Sequence, residues 1–300
     1  MIVRPHRPSL MTVLFAVRGS IVPAIWRKVL YTVLLSSAVA ACHGTLFQFR
    51  FSLTATPFTL WGLTLAIFLG FRNTVAYQRY WEARTLWGEL TITTRNLVRQ
   101  LHTLVPGGAT ALAGPLLAFA YLLRDQLREV PASADARRLL GEAGAVVEGA
   151  RGKPGVLLGW LGRQISEAAR QAGAGEVVRV ALDQSLNHLG GVLGGCERIR
   201  GTPIPYPYIL MLHRVVHVYC FLLPFCLVGS LGWFTPVAVC VLAYTFFGLD
   251  ALGEQIADPF DTQPNDLPLD AMCRNLEISV CELLGQAAPE PLQPVNNILL

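Results

Sequence analysis

The stretch FSLTATPFTLWGLTLAIFLGF, residues 51 to 71, runs for 21 residues without a formal charge. A helix that crosses a lipid bilayer needs about 20 predominantly apolar residues, so this stretch is long enough for one crossing. A run of the same length, VLYTVLLSSAVAACHGTLFQF at residues 29 to 49, precedes it. Residues 215 to 249 form a third charge-free run, which glycines and a proline interrupt near its middle. That run has room for two helices joined by a hairpin, so the sequence predicts four transmembrane helices.

The composition of the 300-residue chain agrees with a membrane protein. Hydrophobic residues make up 53% of it and charged residues only 15%, which excludes a disordered or collagen-like chain and argues against a soluble enzyme. The seven cysteines are an odd number and form no CxxC pair, which argues against a secreted disulfide scaffold. We expect the thiols to be reduced or buried in lipid.

Lysine and arginine are distributed unevenly around the predicted crossings. Five precede the first crossing, one lies between the first and second, seventeen lie from Arg72 to Arg214, none lies in the third run and one follows it. Four crossings place 23 of these 24 residues on one side of the membrane. Because positively charged loops stay in the cytoplasm, both termini are predicted to be cytoplasmic.

These crossings divide the chain into seven predicted segments. They are a cytosolic N-terminal segment (1–28), transmembrane helix 1 (29–49), transmembrane helix 2 (55–80), a cytosolic helical domain (81–205), transmembrane helix 3 (206–229), transmembrane helix 4 (233–252) and an acidic cytosolic C-terminal segment (253–300). No window shows the alternation of period two that is typical of strands. The predicted fold is therefore all-α.

The cytosolic part is predicted to consist of helices. We expect transmembrane helix 2 to continue into the cytosol until Pro106-Gly107-Gly108 ends it. Further helices are expected at Thr110–Val130, Leu161–Ala172 and Glu176–Arg200, with short helices between residues 131 and 160.

The last part of the chain is acidic. Nine of the 20 aspartates and glutamates follow Leu249, where Arg274 is the single basic residue. We expect this segment either to dock against the basic cytosolic surface of its own or a neighbouring subunit, or to remain a solvated charged face.

Motifs for catalysis and for nucleic-acid binding are missing from the sequence. It shows no nucleophile with a base, no metal cluster and no phosphate-binding loop, so the protein is not expected to be an enzyme.

His213 and His217 lie four residues apart and offer two metal ligands. No carboxylate lies between them, and anchoring at the membrane interface is the favoured interpretation. Four glycines between residues 190 and 195 suit close helix packing. Basic residues are mixed with acidic ones, which leaves no nucleic-acid footprint.

Transmembrane helix 2 contains two interlocked patterns. Leu63, Ile67 and Phe71 recur every four residues on one helix face. Small residues recur on a face about 100° away, at Gly62, Ala66 and Gly70. Small residues at this spacing let helices approach closely in lipid. Symmetric copies are then expected to turn the apolar face toward a common axis and form a constriction that gates by dewetting. The alternative is that both faces pack within one four-helix monomer.

Three long segments resemble a known family. They are PFTLWGLTLAIFLGFRNTVAYQRYWEARTLWG (Pro57–Gly88), GGCERIRGTPIPYPYILMLHR (Gly194–Arg214) and LDALGEQIADPFDTQPNDLPLDAMCR (Leu249–Arg274). Together they closely resemble bacterial members of the bestrophin family. The resemblance covers the membrane core and most of the cytosolic part, and it constrains residues 105 to 175 only weakly.

The resemblance implies a homopentameric ion channel in the bacterial inner membrane, with four transmembrane helices per subunit and a single axial pore. In that family, three apolar residues of the second transmembrane helix line the neck of the pore. Matched on Gly70-Phe71 and on Arg79 downstream, these positions fall on Leu63, Ile67 and Phe71. They are the same residues that form the periodic apolar face.

A second constriction, in the cytosol, is also implied by the resemblance. It is expected from the helix that precedes the Ile-Pro turn, where Leu186 is the best match. Leu182 and Leu189 remain alternatives, because no signature fixes the alignment at this point.

The calcium clasp of the family is only partly matched. The acidic run that follows Asn-Pro-Phe in eukaryotic members corresponds to residues 258 to 266, where Asp258, Asp261 and Asp266 are the candidate oxygen ligands. Residues 263 to 265 are not acidic, although a calcium site prefers six or more oxygens with several charges. We therefore expect no tight calcium gating and no required cofactor, with acidic residues that cap helices or pair with arginine.

Passive conduction of small monovalent ions through an apolar gate is the function that the resemblance implies. An apolar ring imposes a dehydration barrier on ions of either sign, and many family members pass chloride and similar anions. Phe71 favours anions if its ring edge points inward, because the edge of an aromatic ring is positive. The expected partners are further copies of the chain, the lipid bilayer and the permeant ions.

Three alternative functions stay open at this point. One is a monovalent-cation channel of the same fold, in which the acidic C-terminal segment enriches cations. Another is a non-conducting, membrane-anchored helical scaffold. The third is a secondary transporter, although the crossings contain neither central charges nor internal repeats.

Overall fold

The computed structural model describes residue 17 and residues 19–42, 45–46, 49–50, 55–295 and 298–299. Outside the described residues lie most of the predicted N-terminal segment, part of predicted transmembrane helix 1 and three residues near the C-terminus. These are residues 1–16 and 18, residues 43, 44, 47 and 48, and residues 296, 297 and 300; residues 51–54 also lie outside the described part.

Helices account for nearly all regular structure in the described part of the chain. Its ten α-helices are α1 (Val22–Ala41), α2 (Ala55–Leu104), α3 (Gly108–Leu127), α4 (Ala134–Leu140), α5 (Gly144–Val147), α6 (Lys153–Gln171), α7 (Glu176–Gly201), α8 (Tyr206–Leu231), α9 (Thr235–Ala257) and α10 (Leu269–Leu283). Short 3-10 helices lie at Gly141–Ala143 and Gly232–Phe234. Two strands of two residues each, β1 (Thr45–Leu46) and β2 (Phe49–Arg50), pair antiparallel. The predicted all-α fold is confirmed.

Helix α1 begins at Val22 rather than at residue 29, and it ends at Ala41 rather than at residue 49. Proline in the first turn suits a helix start, because its fixed φ is helical and its missing N–H has no partner to lose there. Arg27 and Lys28 therefore lie inside the helix. The charge-free run therefore predicted the apolar part of this helix but not its ends, which depend on features such as the proline in its first turn.

Helix α2 contains 50 residues. At about 1.5 Å per residue it is roughly 75 Å long, more than twice the hydrocarbon core of a bilayer. It ends at Leu104, two residues before Pro106, and Gly107 adopts a left-handed φ of 75° at the turn. The prediction that this helix continues beyond its apolar part to Pro106-Gly107-Gly108 is confirmed.

Three stretches are long and apolar enough to cross a membrane, judged by length and composition. They are Val22–Ala41, Thr56–Leu104 and Tyr206–Ala257. The last stretch contains two helices, α8 and α9, which the 3-10 turn at Gly232–Phe234 separates. Gly232 has a φ of 51°, which is the conformation that a tight reversal between two helices requires.

The described chain forms two compact units. The first unit, Arg4–Tyr80 with Pro203–Asp258, contains α1, the start of α2, α8 and α9. Phe58 of α2 stacks on Tyr219 of α8, with ring centroids 4.4 Å apart and planes 10° from parallel. The core of this unit also includes Ile25, Leu65, Leu69, Val216, Val239 and Ala243.

The second unit contains Trp81–Thr202 and the chain from Pro259 onward. Helix α3 lies at its centre, since 16 of its 20 residues are buried. A helix that is buried on every side belongs to a core rather than to a surface. Helices α4, α6, α7 and α10 pack around it, and α6 also packs against α7.

The acidic C-terminal segment contains a helix, α10, that the sequence did not predict. Asp270 accepts hydrogen bonds from Arg124 at 2.7 Å and from Arg128 at 2.9 Å. Glu277 accepts one from Arg138 at 2.6 Å. Of the two expectations for this segment, docking on basic residues of its own chain is confirmed for these acids.

All seven cysteines lie among the described residues, and none of them forms a disulfide. Burial raises the pKa of the Cys196 thiol to about 12, and it raises the pKa of Cys273 well above its ordinary value. Both thiols therefore stay protonated at neutral pH, where a thiol is a weak nucleophile.

Candidate functional site

The apolar half of α2 has one covered side and one free side. Residues spaced three or four apart face the rest of the first unit and are buried; they are Phe58, Gly62, Leu65, Leu69, Arg72 and Ala76. On the other side, Leu63, Ile67 and Phe71 keep 59%, 50% and 63% of their surface exposed. Three large apolar side chains are thus left uncovered by their own chain.

These three side chains form a single row along the helix. Residues four apart lie one above the other, so Leu63, Ile67 and Phe71 span about 12 Å of helix length. The row contains no charged or hydrogen-bonding side chain. The sequence predicted this face as the neck of a pore, and a neck requires further copies of the chain around it.

The small residues beside this row are placed in two different environments. Gly62 is buried, and a Cβ atom there would overlap the Tyr219 hydroxyl and lie 3.0 Å from Tyr219 Cζ. Gly62 therefore lets α2 and α8 approach each other within one chain. Ala66 and Gly70 are exposed, and a Cβ at Gly70 would meet nothing within 4 Å. Of the three small residues, Ala66 and Gly70 are the ones free to contact another copy.

A buried ion pair lies immediately after the apolar row. Arg72 Nη1 lies 2.5 Å from Asp250 Oδ1, and both side chains are almost fully buried. The other oxygen of Asp250, Oδ2, lies 2.7 Å from Nδ1 of His213 on α8. A buried charge is tolerated when it is paired and hydrogen-bonded. One carboxylate of α9 thus holds α2 and α8 together below Phe71.

Two further contacts fix the same part of α2 to the end of α9. Asn73 Nδ2 donates to the Leu249 carbonyl at 3.1 Å, and Arg79 Nε donates to the Ala257 carbonyl at 3.1 Å. Gly253 lies between these two contacts, where a Cβ would collide with the side-chain amide of Asn73. The sequence showed Arg72 and Asp250 only as the charges that end two apolar runs. Opposite charges at the ends of neighbouring crossings were the available signal for their pairing.

The residues predicted for a cytosolic constriction lie in a helix contact. Leu186, Leu182 and Leu189 are all buried in the second unit. Leu186 Cδ1 lies 3.8 Å from the Cβ position of Gly162 on α6. These contacts belong to a single copy of the chain, so the assignment of Leu186 to a cytosolic constriction, with Leu182 and Leu189 as alternatives, stays a prediction. Leucines spaced three and four apart mark the core-facing side of an amphipathic helix.

Two of the three predicted calcium ligands accept a hydrogen bond from a nearby backbone amide, and the third lies at the end of a helix. Asp261 is exposed, and its Oδ1 accepts from the Thr262 amide at 2.8 Å. Asp266 is buried, and its Oδ2 accepts from the Gln263 amide at 2.6 Å. Asp258 ends helix α9. Among the residues that the structure describes, no group of three or more His, Cys, Asp or Glu side chains is arranged to hold a metal ion.

The histidine pair considered as a metal site is engaged in protein contacts. His213 and His217 have ring centroids 4.5 Å apart. Nδ1 of His217 lies 2.7 Å from the His213 carbonyl, while Nδ1 of His213 pairs with Asp250. One nitrogen of each ring is therefore already used inside the first unit.

The fold and this site define an integral membrane protein made of helices, in which one long helix presents an apolar row that its own chain leaves uncovered. Residues 1–282 match the family of bacterial and fungal bestrophin proteins, and the chain belongs to this family.

Similar proteins cover almost the whole chain. A voltage-dependent anion channel-forming protein of Mesorhizobium japonicum is 42% identical over 295 residues, which are 97% of this chain and 95% of that protein. The voltage-dependent anion channel-forming protein YneE of Escherichia coli is 39% identical over 290 residues, covering 96% of this chain and 95% of that one. A crystal structure of a bacterial bestrophin homologue from Klebsiella pneumoniae superimposes with a TM-score of 0.83 at 39% identity, covering 88% of this chain and 99% of that one.

Proposed function

We propose that this protein is a homopentameric channel in the bacterial inner membrane, with both termini in the cytoplasm, that passes small monovalent anions such as chloride. Five copies of Leu63, Ile67 and Phe71 form the neck of its axial pore. The observation that carries the proposal is the exposed apolar row on α2, directly above a buried ion pair that fixes the helix. The names of the relatives, voltage-dependent anion channel-forming proteins, support the same function.

The neck acts as a hydrophobic gate. Side chains without polar atoms offer an entering ion nothing to replace its hydration shell, so a narrow ring dewets and conduction stops. Small displacements that widen the ring admit water and ions. This mechanism requires no proton transfer, metal ion or covalent step.

The buried ion pair keeps a strong charge out of the pore wall. Arg72 follows Phe71 directly, and an uncompensated arginine there would attract anions. Asp250 neutralises it at 2.5 Å. Selectivity at the neck is therefore assigned to weak fields such as the positive edge of the Phe71 ring, rather than to a fixed cation.

Assembly is assigned to the small residues that remain exposed beside the apolar row. Ala66 and Gly70 lie on the same side of α2, where α-helices in lipid approach each other most closely. Their contact with a neighbouring copy would orient the three large side chains toward the axis.

A cation channel has less support from the structure than from the sequence. That alternative relied on free acidic charge in the C-terminal segment, but Asp270 and Glu277 are paired with arginines of the same chain. Purified protein in a planar bilayer with a KCl gradient tests the sign of the permeant ion. We expect a reversal potential near the chloride equilibrium potential. A value near the potassium potential contradicts anion selectivity, and the absence of current favours a scaffold.

A further inference from the structure

The first unit contains an apolar groove of about 560 Å³ between α1, α8 and the C-terminal part of α9. Its walls include Lys28, Tyr31, Leu35, His217, Phe221 and Phe247. No residue of α2 lines it. The groove is therefore distinct from the helix face that is proposed to form the neck.

One end of the groove is cationic. Lys28 Nζ lies 5.8 Å from the centroid of the Phe247 ring, and within the described residues it makes no ion pair with a carboxylate. Asp250, the acid on the neighbouring turn of α9, lies 2.5 Å from Arg72 through one oxygen and 2.7 Å from His213 through the other. Among the described residues, the ammonium group at the mouth of the groove therefore has no carboxylate as a counter-charge.

The groove becomes apolar along the helices that form it. Leu35 lies about 10 Å further along α1 than Lys28, and Phe221 lies about 6 Å further along α8 than His217. With both helices entering the membrane from the cytoplasm, Lys28 and His217 lie at headgroup depth and the apolar walls lie deeper. This order of polarity is that of a phospholipid in the cytoplasmic leaflet.

We propose that the groove binds an anionic phospholipid, with its phosphate at Lys28 and an acyl chain along Leu35 and Phe221. Basic pockets between transmembrane helices on the cytoplasmic side bind anionic headgroups. Arg27, stacked on the Trp26 ring at 5.4 Å, adds a second cation on the same turn. Exposed Trp26 and Tyr31 are residues typical of the membrane interface. A zwitterionic phospholipid would fill the apolar walls equally, but the ammonium group of its own headgroup offsets its phosphate, so it attracts the lysine less strongly.

The second lysine of the chain provides a matched control for a substitution at Lys28. The chain contains two lysines, Lys28 and Lys153, and both are half-buried. Lys153 begins α6 in the second unit, so Lys28→Gln and Lys153→Gln remove the same charge from two places. Native mass spectrometry of the purified protein then measures binding of phosphatidylglycerol and of phosphatidylcholine with identical acyl chains.

We expect wild type and Lys153→Gln to bind phosphatidylglycerol more tightly than phosphatidylcholine. Lys28→Gln is expected to bind phosphatidylglycerol about fivefold more weakly, with a smaller loss of phosphatidylcholine binding. Equal binding of the two lipids by wild type overturns the proposal, and so does a Lys28→Gln variant that binds like wild type. Because no current is measured, these results hold whether or not the protein conducts ions.

Other occupants of the groove give different outcomes. If inorganic phosphate protects Lys28 from an amine-reactive reagent as well as phosphatidylglycerol vesicles do, the ligand is a soluble anion. If Leu35→Cys forms disulfide-linked dimers in the membrane, a second copy of the chain covers the groove. Either result overturns the lipid proposal.

Should Lys28→Gln fail to fold, Leu35→Trp fills the groove and is expected to displace both lipids. Unchanged lipid binding by that variant overturns the proposal as well.

Discussion

Asp250 joins Arg72 to the end of α9 through a 2.5 Å contact between two residues that lie 178 positions apart in the sequence. Both side chains are buried, so bulk solvent cannot reach either charge. The pair therefore ties α2 to the rest of its unit at the level of the proposed gate.

Loss of the carboxylate at position 250 is expected to destabilise the subunit strongly. Asp250→Asn leaves Arg72 buried without a counter-charge, which costs about 3–5 kcal/mol. The double variant Arg72→Met/Asp250→Leu removes both charges and is expected to be more stable than Asp250→Asn. Thermal unfolding of the purified protein in detergent measures both effects.

The exposed pair between Arg198 and Glu82 supplies the control for that measurement. Glu82→Gln is expected to change the stability by less than about 1 kcal/mol, because exposed ion pairs contribute little. An Asp250→Asn variant as stable as Glu82→Gln would contradict the role assigned to the buried pair.

Shortening the apolar row is expected to open the channel. Replacement of Leu63, Ile67 and Phe71 by alanine widens and wets the neck, which raises the open probability in single-channel recordings. Phe68→Ala removes an exposed aromatic ring from a different side of the same helix and serves as the control. Unchanged currents from the triple variant would remove these residues from the gate.

The two glycines on α2 are expected to respond differently to bulky substitution. Gly62→Leu collides with Tyr219 inside the chain and should lower the stability of the subunit itself by at least about 1–3 kcal/mol. Gly70→Leu meets no atom of its own chain, so the subunit should fold while assembly is weakened. Thermal unfolding and native mass spectrometry separate the two effects. A normal pentamer from Gly70→Leu would show that this residue does not contact a neighbouring copy.

Tyr121 is expected to make the second unit sensitive to high pH. Burial and the hydrogen bond to Glu277 raise the pKa of Tyr121 above its ordinary value. Above about pH 10 the unfolded chain loses the phenolic proton while the folded chain retains it, so the free energy of unfolding falls as the pH rises. Tyr121→Phe removes this contribution, and its unfolding free energy should fall less steeply above pH 10. Equal slopes for both proteins would speak against the raised pKa.

Much of the fold follows from the sequence because lipid imposes a strong requirement. Apolar runs of about 20 residues must be helical in a bilayer, since their backbone groups find no other partners there. The continuation of α2 to Leu104 was likewise predictable, because no strong helix breaker occurs before Pro106. The start of α1 at Val22 and the existence of α10 depended on local backbone and packing details that charge-free runs do not contain.

The candidate site was predictable only in part. The periodic row of Leu63, Ile67 and Phe71 was visible because it depends on positions four apart on one helix. The pairing of Arg72 with Asp250 depends on tertiary structure, and no local spacing encodes it. The assignment of Leu186 to a cytosolic constriction rests on the resemblance alone and stays a prediction, because its burial in one copy does not show how several copies surround an axis.

Arg72 is synthesised well before Asp250, and this order affects how a subunit is inserted into the membrane. A ribosome adds about 5–20 residues per second, so Asp250 emerges roughly 10–40 s after Arg72. Throughout that interval Arg72 lacks the carboxylate that pairs with it in the folded subunit. Insertion of α9 then becomes the step that lets the nascent protein mature, and a ribosome that stalls before position 250 leaves an incomplete product exposed to membrane quality control.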